Sequence, residues 1–298
     1  MQMLRPYNYP PIEIMKNITE TLEDEFGDII KKARTGIGYS LEQLSTVTGI
    51  EPSVLADFEA YCRAPAESEV NALAEALMLD REKLNEIAKM AWQPLPEPWR
   101  IEPNARIRVV QVDVGGYSEN CYIAGSRDTE HAFIVDPGGS AAAIVEAVRD
   151  EGFTPMAIVI THRHYDHTSG AAELAERLDI GEVIGPSEAL NKLHLAKSSK
   201  RRVEDGKEID VGNLRIQALS TPGHTSESTC YLFGRICFVG DTLFAGSLGR
   251  AMAGPAAYQT LLTSVRDKIL TLPGETALLP GHGPATTVQE ELLHNPFL

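Results

Sequence analysis

Apolar side chains recur with a helical period over the first ninety residues. Within Phe26 to Arg34, one face of the predicted helix carries Phe26, Ile29, Ile30 and Ala33. We predict N-caps at Ser40 and Ser68 and a helix opened by Pro52, because these residue types suit the free N–H groups of a first turn. A last helix in DREKLNEIAKM makes five short helices in all. Residues 1–91 are therefore predicted to form one compact all-helical domain.

The pattern changes after residue 104. Short apolar or alternating runs, each ending in a turn signal, indicate strands: RIRVVQVDV, HAFIVDPGG, MAIVITH, LRIQALSTPGH and STCYLFGRICFVGD. Amphipathic stretches such as SAAAIVEAVRDEG lie between them, so we predict an α/β domain over residues 105–298, with helices on the outer faces of its sheets. Four prolines in WQPLPEPWRIEP prevent a helix from running through residues 92–104, which we predict to be a semi-rigid linker.

The loop after the apolar run MAIVI carries an unusual concentration of polar groups. The stretch THRHYDHTSG, Thr161 to Gly170, places three imidazoles and one carboxylate within six positions: His162, His164, Asp166 and His167. Several imidazoles held together repel one another when protonated and gain little unless a cation organises them. The spacing therefore predicts a metal site at the end of this strand.

Three further candidate ligands follow other apolar runs. They are His224 in TPGHT, Asp241 in FVGDT and His282 in LLPGHG, each beside a glycine that allows close backbone approach. Taken singly, each of these is an ordinary turn. Together with the HxHxDH cluster, they predict one metal centre assembled from several strand ends.

This series of motifs resembles the metallo-β-lactamase superfamily. The flanking residues, with GDTLF, GSLGR, PGHGPATT and the final HNPFL, are similar to the short form of the glyoxalase II-like branch, over about residues 105 to 298. The resemblance implies an αββα sandwich and two divalent metal ions, zinc, iron or manganese. It implies one ion held by His162, His164 and His224, a second held by Asp166, His167 and His282, and Asp241 bridging both. A shared hydroxide would then be the nucleophile, with Asp166 and Asp241 as the catalytic carboxylates.

Several other residues have two open interpretations. Asp136 in DPGG either positions ligands or forms a plain turn, and Arg250 in GSLGR either faces an anionic substrate tail or makes a surface salt bridge. The basic run Lys197 to Arg202 either recruits a carboxylate-bearing thioester or is a solvated loop. The histidines outside the motifs are expected to be ordinary polar residues: His131, His194 and His294.

Two local departures from the family pattern bear on specificity. Ala251-Met252 follows GSLGR where the family commonly has Thr-Asp or Ser-Asp, and Ser226-Glu227 follows TPGHT where Pro-Gly is frequent, which places an extra carboxylate close to the metals. The short form also lacks the C-terminal helical domain with which full-length glyoxalase II binds glutathione. These departures put glutathione specificity, rather than the metal site, in question.

The helical domain resembles the helix-turn-helix domain of lambda-repressor/Cro-like (XRE-type) regulators, with Thr48-Gly49-Ile50 at the turn. The helix in the recognition position carries Glu51, Asp57 and Glu59 and no basic residue, which disfavours reading of the major groove. Residues 1 to 90 hold nine Lys and Arg against sixteen Asp and Glu. The cluster Lys31, Lys32 and Arg34 could touch a phosphate backbone, but a structural, dimerising or regulatory role is favoured over DNA binding.

Composition narrows the partners further. The net charge of −15 and pI near 5.0 disfavour general affinity for nucleic acid or anionic membranes. The four cysteines show no CxxC spacing, and neither a signal peptide nor an apolar run of eighteen residues is visible. We therefore expect a cytoplasmic protein with no membrane segment.

The leading functional hypothesis is a binuclear metal-dependent hydrolase acting on a thioester of glutathione or of a smaller thiol. One alternative is a persulfide dioxygenase, in which His162, His224 and Asp241 hold a single Fe(II); those relatives usually carry an AHDYHG-like stretch where this chain has PGHGPATT. The other alternative is a metabolite-sensing DNA-binding regulator. An enzyme that forms homodimers through the helical domain is also open, and the same ligand set serves lactonases, phosphodiesterases and β-lactamases.

Overall fold

The computed structural model describes residues 21–298, and the first part of the predicted helical domain lies outside them. Five helices open the described chain, as the hydrophobic pattern predicts: α1 Phe26–Ile37, α2 Leu41–Thr48, α3 Pro52–Glu59, α4 Glu67–Leu77 and α5 Arg81–Ala88. Ser40 caps α2, since its side chain accepts the N–H of Gln43 and Gln43 binds back to the Ser40 N–H. Gly49 ends α2 in the left-handed conformation, with φ 72°.

The predicted cap at Ser68 is wrong. Helix α4 begins two residues earlier than this cap predicts, at Glu67, and Ala66 occupies the N-cap position. The carboxylate of Glu69 accepts the N–H of Ala66 at 2.7 Å, so an acidic side chain of the first turn satisfies the backbone donor of the N-cap residue.

The remaining chain forms two six-stranded sheets and a small hairpin. The first sheet has the order β1 Ala105–Val114, β2 Tyr117–Ser126, β3 His131–Val135, β4 Thr154–Val159, β5 Glu182–Gly185 and β6 Ser199–Arg202. The second contains β7 Glu208–Val211, β8 Leu214–Ser220, β9 Thr229–Phe233, β10 Ile236–Gly240, β13 Ala277–Pro280 and β14 Thr286–Thr287, in the order β14-β13-β10-β9-β8-β7. The hairpin pairs β11 Leu243–Phe244 with β12 Ser247–Leu248.

Both sheets are mixed. In the first, β1-β2-β3 is antiparallel and β3 to β6 run parallel, while in the second β10 pairs parallel with β13 and antiparallel with β9. The other helices are α6 Ala141–Asp150, α7 Tyr165–Thr168, α8 Ala171–Arg177, α9 Ser187–Lys192, α10 Pro255–Ser264 and α11 Val288–His294. Short helical turns lie at Pro98–Ile101, within the proline-rich stretch, and at Val265–Ile269.

The hydrophobic core lies in layers, as expected of an αββα sandwich. One cluster fills the space between the sheets, with Phe133, Tyr231 and Phe238 fully buried. A second cluster joins the first sheet to α6 and α8, and a third joins the second sheet to α10 and the helices α1 to α5. The predicted fold class is thereby confirmed, and the metal-site motifs fall along one edge between the sheets.

The helical region packs directly on the second half of the sandwich. Gly36 of α1 lies against the ring of Tyr258, where an added Cβ would be 2.5 Å from ring Cδ2. The indole of Trp92 stacks on His294 with ring centroids 4.6 Å apart, and the Lys83 ammonium donates to the Leu298 carbonyl at 2.8 Å. One hydrophobic cluster therefore spans both parts, although the division at residues 92–104 stays a prediction.

The basic residues of α1, for which the sequence favours a solvated face over contact with a phosphate backbone, are partly turned inward. Arg34 makes a bidentate ion pair with Glu59, at 2.5 and 2.7 Å, and Lys32 points into the sandwich, while Lys31 remains exposed. The second basic run differs from a loop, because its residues from Ser199 onward form the exposed edge strand β6. Lysine and arginine suit such an edge, since they discourage pairing with another chain.

None of the helices in the described part of the chain is long and apolar enough to cross a membrane.

Candidate metal centre

The metal-site motifs occupy loops at the ends of strands. The loop after β4 carries His162 and His164, and the single-turn helix α7 then brings Asp166 and His167 back toward the same point. The side chains of His162 and His167 are buried, whereas those of His164 and Asp166 are partly exposed. His224, Asp241 and His282 follow β8, β10 and β13, as their positions after apolar runs predict.

Three imidazole nitrogens converge in a first cluster. Nε2 of His162 lies 3.1 Å from Nδ1 of His164, which lies 2.9 Å from Nε2 of His224. Oδ2 of Asp241 completes the group, 3.4 Å from Nε2 of His224 and 4.0 Å from Nε2 of His162. Ligand nitrogens around tetrahedral zinc lie roughly 3.3–3.4 Å apart, since each metal–nitrogen distance is about 2.0–2.1 Å. The first cluster therefore needs only a small expansion to hold one cation.

A second cluster lies beside the first. Oδ2 of Asp166 is 3.4 Å from Nε2 of His282 and 3.8 Å from Nε2 of His167. Oδ1 of Asp241 is 3.2 Å from Nε2 of His167 and 3.7 Å from Nε2 of His282. The two oxygens of Asp241 thus face different clusters, which is the arrangement a bridging carboxylate requires.

The outward-facing ring nitrogens have hydrogen-bond acceptors. Nδ1 of His224 donates to the Arg250 carbonyl at 2.8 Å, and Nδ1 of His282 donates to the Ser118 carbonyl at 2.6 Å. These bonds hold the tautomer that leaves Nε2 free to bind a metal. The sequence gives no signal for Ser118, because a backbone carbonyl of any residue type would serve.

Asp136 orients His167. Its Oδ2 accepts from Nδ1 of His167 at 2.9 Å and from Oγ1 of Thr161 at 2.5 Å, while Oδ1 accepts the Thr161 N–H at 2.7 Å. The residue also forms the tight turn, with φ 48°, so both of its predicted roles are present. Asp136, His162 and His167 form a further ligand-like triplet, but the oxygens of Asp136 are already engaged in these hydrogen bonds.

The ligand set fits a pair of cations on its own chemistry. Within residues 21–298, Nε2 of His167 and Oδ1 of Asp241 are buried with no hydrogen-bond partner, although they lie 3.2 Å apart. Burying polar atoms without a partner costs about 1–3 kcal/mol each, which a shared cation would remove. Imidazole and carboxylate donors suit zinc, iron and manganese.

The pKa values of the histidines shift in opposite directions in the two clusters. Burial lowers the pKa of His162, His164 and His224, so the first cluster holds neutral imidazoles, the form that binds metals. In the second cluster burial also opposes charge on His167, but Asp241 and Asp136 outweigh it and raise the pKa of His167 well above its ordinary value. Likewise, Asp166 raises the pKa of His282 to about 8 against the effect of burial. An ion entering the second cluster must therefore displace protons.

Three glycines bring the backbone against the ligands. An added Cβ would lie 1.5 Å from the Asp166 carbonyl oxygen at Gly138 and 1.6 Å from the Asp241 carbonyl oxygen at Gly249. At Gly281 it would lie 2.4 Å from Cε1 of His167 and 2.6 Å from Oδ1 of Asp241. No side chain fits at these positions without displacing the site.

The polar residues outside the two clusters that the sequence singles out differ in exposure and in hydrogen-bond partners. Arg250 is exposed and, among the described residues, makes no ion pair, so its side chain is available to solvent. Glu227, the extra carboxylate of TPGHTSES, pairs with Arg163, whose N–H it also accepts. His131 accepts the N–H of Asn213.

Two residues of the C-terminal segment hold the hairpin that follows Asp241. The buried carboxylate of Glu291 accepts the Gly246 N–H at 3.2 Å, and the amide of Asn295 donates to the Ser247 carbonyl at 3.0 Å. The HNPFL motif therefore has a structural role near the site. Glu291 was not singled out from the sequence, because a glutamate in a polar helix gives no sign of burial.

Two mixed sheets thus carry, at their shared edge, two groups of side chains that could hold metal ions. A model of the metallo-beta-lactamase superfamily matches residues 114–282, and the chain belongs to that superfamily.

Two proteins of known sequence and one crystal structure are similar to this chain. The chain is 35% identical over 204 residues to the probable metallo-hydrolase YqgX of Bacillus subtilis, covering 63% of this chain and 96% of the relative. It is 34% identical over 171 residues to a hydroxyacylglutathione hydrolase of Salmonella arizonae, covering 57% of this chain and only 64% of that enzyme. The crystal structure of TTHA1623 in a di-iron-bound form superposes with a TM-score of 0.53 and 32% identity, covering 64% of this chain and all of that one.

Proposed function

We propose that this protein is a binuclear metal-dependent hydrolase that cleaves thioesters. The observation that carries the proposal is the placement of Asp241, whose two oxygens face two separate groups of ligands. We assign the first ion to His162, His164 and His224 and the second to Asp166, His167 and His282, with Asp241 shared. The di-iron form of a structural relative supports two ions in such a fold.

When bound, the two ions would supply a water molecule of lowered pKa and polarise the acyl carbonyl. Asp166 is the carboxylate best placed to orient that water and accept its proton, because 27% of its side chain is exposed against 8% for Asp241. Asp241 offsets the charge of the ions. Three imidazole rings are oriented by hydrogen bonds from Nδ1, to the Asp136 carboxylate and to the carbonyls of Ser118 and Arg250.

A thioester substrate fits the chemistry of these groups. A thiol leaves as a thiolate of pKa about 8.5, so its departure at neutral pH needs no strong general acid. The similarity to a hydroxyacylglutathione hydrolase supports an acyl-thiol substrate. The chain spans just under two thirds of that enzyme's length, so we extend the proposal to thioesters as a class rather than to glutathione.

A persulfide dioxygenase is the second candidate, because His162, His224 and Asp241 offer two imidazoles and a carboxylate for one Fe(II). The stretch PGHGPATT, where the persulfide dioxygenases usually carry an AHDYHG-like one, favours the binuclear hydrolase, although both types of enzyme keep the other ligands. If protein carrying one iron per chain consumed oxygen with a persulfide, the dioxygenase function would be favoured over the hydrolase.

We propose that the helical domain supports the enzyme and does not bind DNA. Arg34 is engaged by Glu59, and Lys32 faces the sandwich. Asp57 is exposed on α3, and Glu51 is exposed at the N-cap of that helix. The full-length protein should therefore show no sequence-dependent affinity for duplex DNA at physiological salt. Tight binding with a steep salt dependence would instead support the regulator hypothesis.

The test of the hydrolase proposal uses full-length protein loaded separately with zinc, iron or manganese under anaerobic conditions. Thioesters with one acyl group and different thiols would be compared with the matching oxygen ester and amide, following release of free thiol or acid. We expect thioester hydrolysis to dominate, and Asp166→Asn to reduce kcat by about a hundredfold or more. The exposed Asp150→Asn serves as the matched control. Protein that binds two ions and hydrolyses none of the thioesters would refute the proposal.

A further inference from the structure

The hairpin of β11 and β12, residues 243–248, is held at three consecutive residues by hydrogen bonds from side chains of other segments to its backbone. Glu291 accepts the N–H of Gly246, Asn295 donates to the carbonyl of Ser247, and Lys32 donates to the carbonyl of Leu248 at 2.7 Å. The first two contacts come from the C-terminal segment of the sandwich. The third comes from α1 of the helical domain, more than two hundred residues away in the chain.

Lys32 is built into this position. Its side chain is 9% exposed and forms an ion pair with Asp24, whose side chain is 7% exposed. The ammonium also lies 4.6 Å from the centre of the Phe244 ring, within the hairpin itself. A buried cation held by a carboxylate, a carbonyl and an aromatic face has one defined position, because moving it would leave a charge unpaired.

The hairpin leads directly to the metal ligands. Two residues beyond Leu248, the carbonyl of Arg250 accepts from Nδ1 of His224. Gly249, between them, packs against the backbone of Asp241 and lies near Cβ of His224. On the other side, the Phe244 ring meets His282 edge to face, with centroids 5.9 Å apart. Displacement of the Leu248 carbonyl would therefore be transmitted to the first cluster through Arg250.

We propose that Lys32 is a positioning residue for the metal centre: by holding the Leu248 carbonyl, it fixes the Arg250 carbonyl that orients His224. This inference rests on the proposed binuclear site. The helical domain then contributes to the geometry of the metal centre, because Lys32, which holds the Leu248 carbonyl, lies outside the sandwich. The same lysine is too enclosed to contact nucleic acid.

The test compares Lys32→Met with Lys31→Met in the full-length protein. The neighbouring Lys31 is exposed, so its substitution removes the same charge from the same helix without touching the hairpin. The affinity of each variant for zinc would be measured by competition with a chromogenic chelator, alongside the thermal unfolding midpoint and circular dichroism.

We expect Lys32→Met to weaken binding of one of the two ions by about tenfold or more, as losses of ligand-orienting contacts typically do. The other ion should bind nearly as in the wild type, and kcat should fall more than KM changes. Lys32→Arg, which keeps the charge and the donors, should recover most of the affinity. Lys31→Met should match the wild type.

Zinc affinities within about twofold of the wild type in folded Lys32→Met would overturn the proposal. An equal loss for both ions, tracking a fall in unfolding midpoint, would also do so, since it would indicate general destabilisation. Should Lys32→Met fail to fold, Asp24→Asn provides the second test, because it keeps the ammonium but removes its ion pair, and unchanged affinity there would contradict the account. Zinc binding is read without substrate, so this result stands apart from any failure of the thioesterase proposal.

Discussion

Replacing Asp136 by asparagine should selectively weaken the second metal. The carboxylate accepts three hydrogen bonds, from the N–H and hydroxyl of Thr161 and from Nδ1 of His167. An amide cannot accept all three. With its oxygen toward the Thr161 N–H, its NH₂ faces Nδ1 of His167, and the ring must move its proton to Nε2, the atom assigned to the metal. With the amide reversed, the buried Thr161 N–H loses its acceptor.

The expected losses of metal affinity and of stability follow from these two orientations of the asparagine amide. A hydrogen bond to a charged group contributes about 1.5–3 kcal/mol, and each 1.4 kcal/mol corresponds to a factor of ten in affinity. The second ion should therefore bind roughly 10 to 100-fold more weakly, in line with other ligand-orienting residues. An unpaired Thr161 N–H costs about 1–3 kcal/mol, which lowers the unfolding midpoint of the metal-free protein by about 2 to 10 °C.

Chelator competition gives the two affinities, and calorimetry of the chelator-treated protein gives the midpoint. Asp150→Asn is the control, because its carboxylate is exposed and forms no hydrogen bond or ion pair among the described residues. Equal affinity of Asp136→Asn and wild type for both ions would refute the assignment of Asp136. A selective loss of the first ion would mean that the two clusters are wrongly divided.

Three further predictions concern the surroundings of the site. Gly281→Ala should abolish binding of the second ion while keeping the fold, because its Cβ would overlap His167 and Asp241; Gly181→Ala, whose Cβ meets nothing within 4 Å, should bind both ions normally by the same chelator assay. Burial raises the pKa of Glu291 to about 7, so the folded state holds its proton more tightly than the unfolded state. Urea unfolding of metal-free protein should show a stabilising contribution, up to about 3 kcal/mol, that is present near pH 4.5 and lost as pH rises through 7; Glu291→Gln should flatten that difference, and a profile parallel to wild type would contradict it. If the exposed side chain of Arg250 faces the anionic tail of the substrate, Arg250→Ala should raise KM for anionic thioesters with less effect on uncharged ones. Equal effects on both would argue against that contact.

The sequence predicts, for a physical reason, which polar side chains lie close together at the edge of the sandwich. His162, His224, Asp241 and His282 each follow a largely apolar strand, and strand ends of a sandwich meet at a common edge. The pattern of apolar runs therefore predicts which side chains converge. It does not predict which oxygen of Asp241 faces which cluster, since that depends on the close approach of Gly249 and Gly281 to the site.

Contacts between distant segments lie beyond the sequence pattern. Lys32 looks like one of three solvent-facing cations at the end of a helix, and only the packing of α1 on the sandwich turns it toward Leu248. Glu291 looks like a surface residue of an acidic helix, yet it is fully buried against the hairpin. Such residues are fixed by the fit of whole elements, which local periodicity does not encode.

Metal content per chain distinguishes a two-ion site that shares Asp241 from a site that holds a single ion. Freshly purified, untagged protein handled anaerobically would be measured by elemental mass spectrometry, in parallel with Asp241→Ala and the control Asp150→Ala. We expect about two equivalents of zinc, iron or manganese in the wild type and the control, and fewer than one in Asp241→Ala, because the shared carboxylate serves both ions. A single equivalent in the wild type, or two retained by Asp241→Ala, would contradict the account.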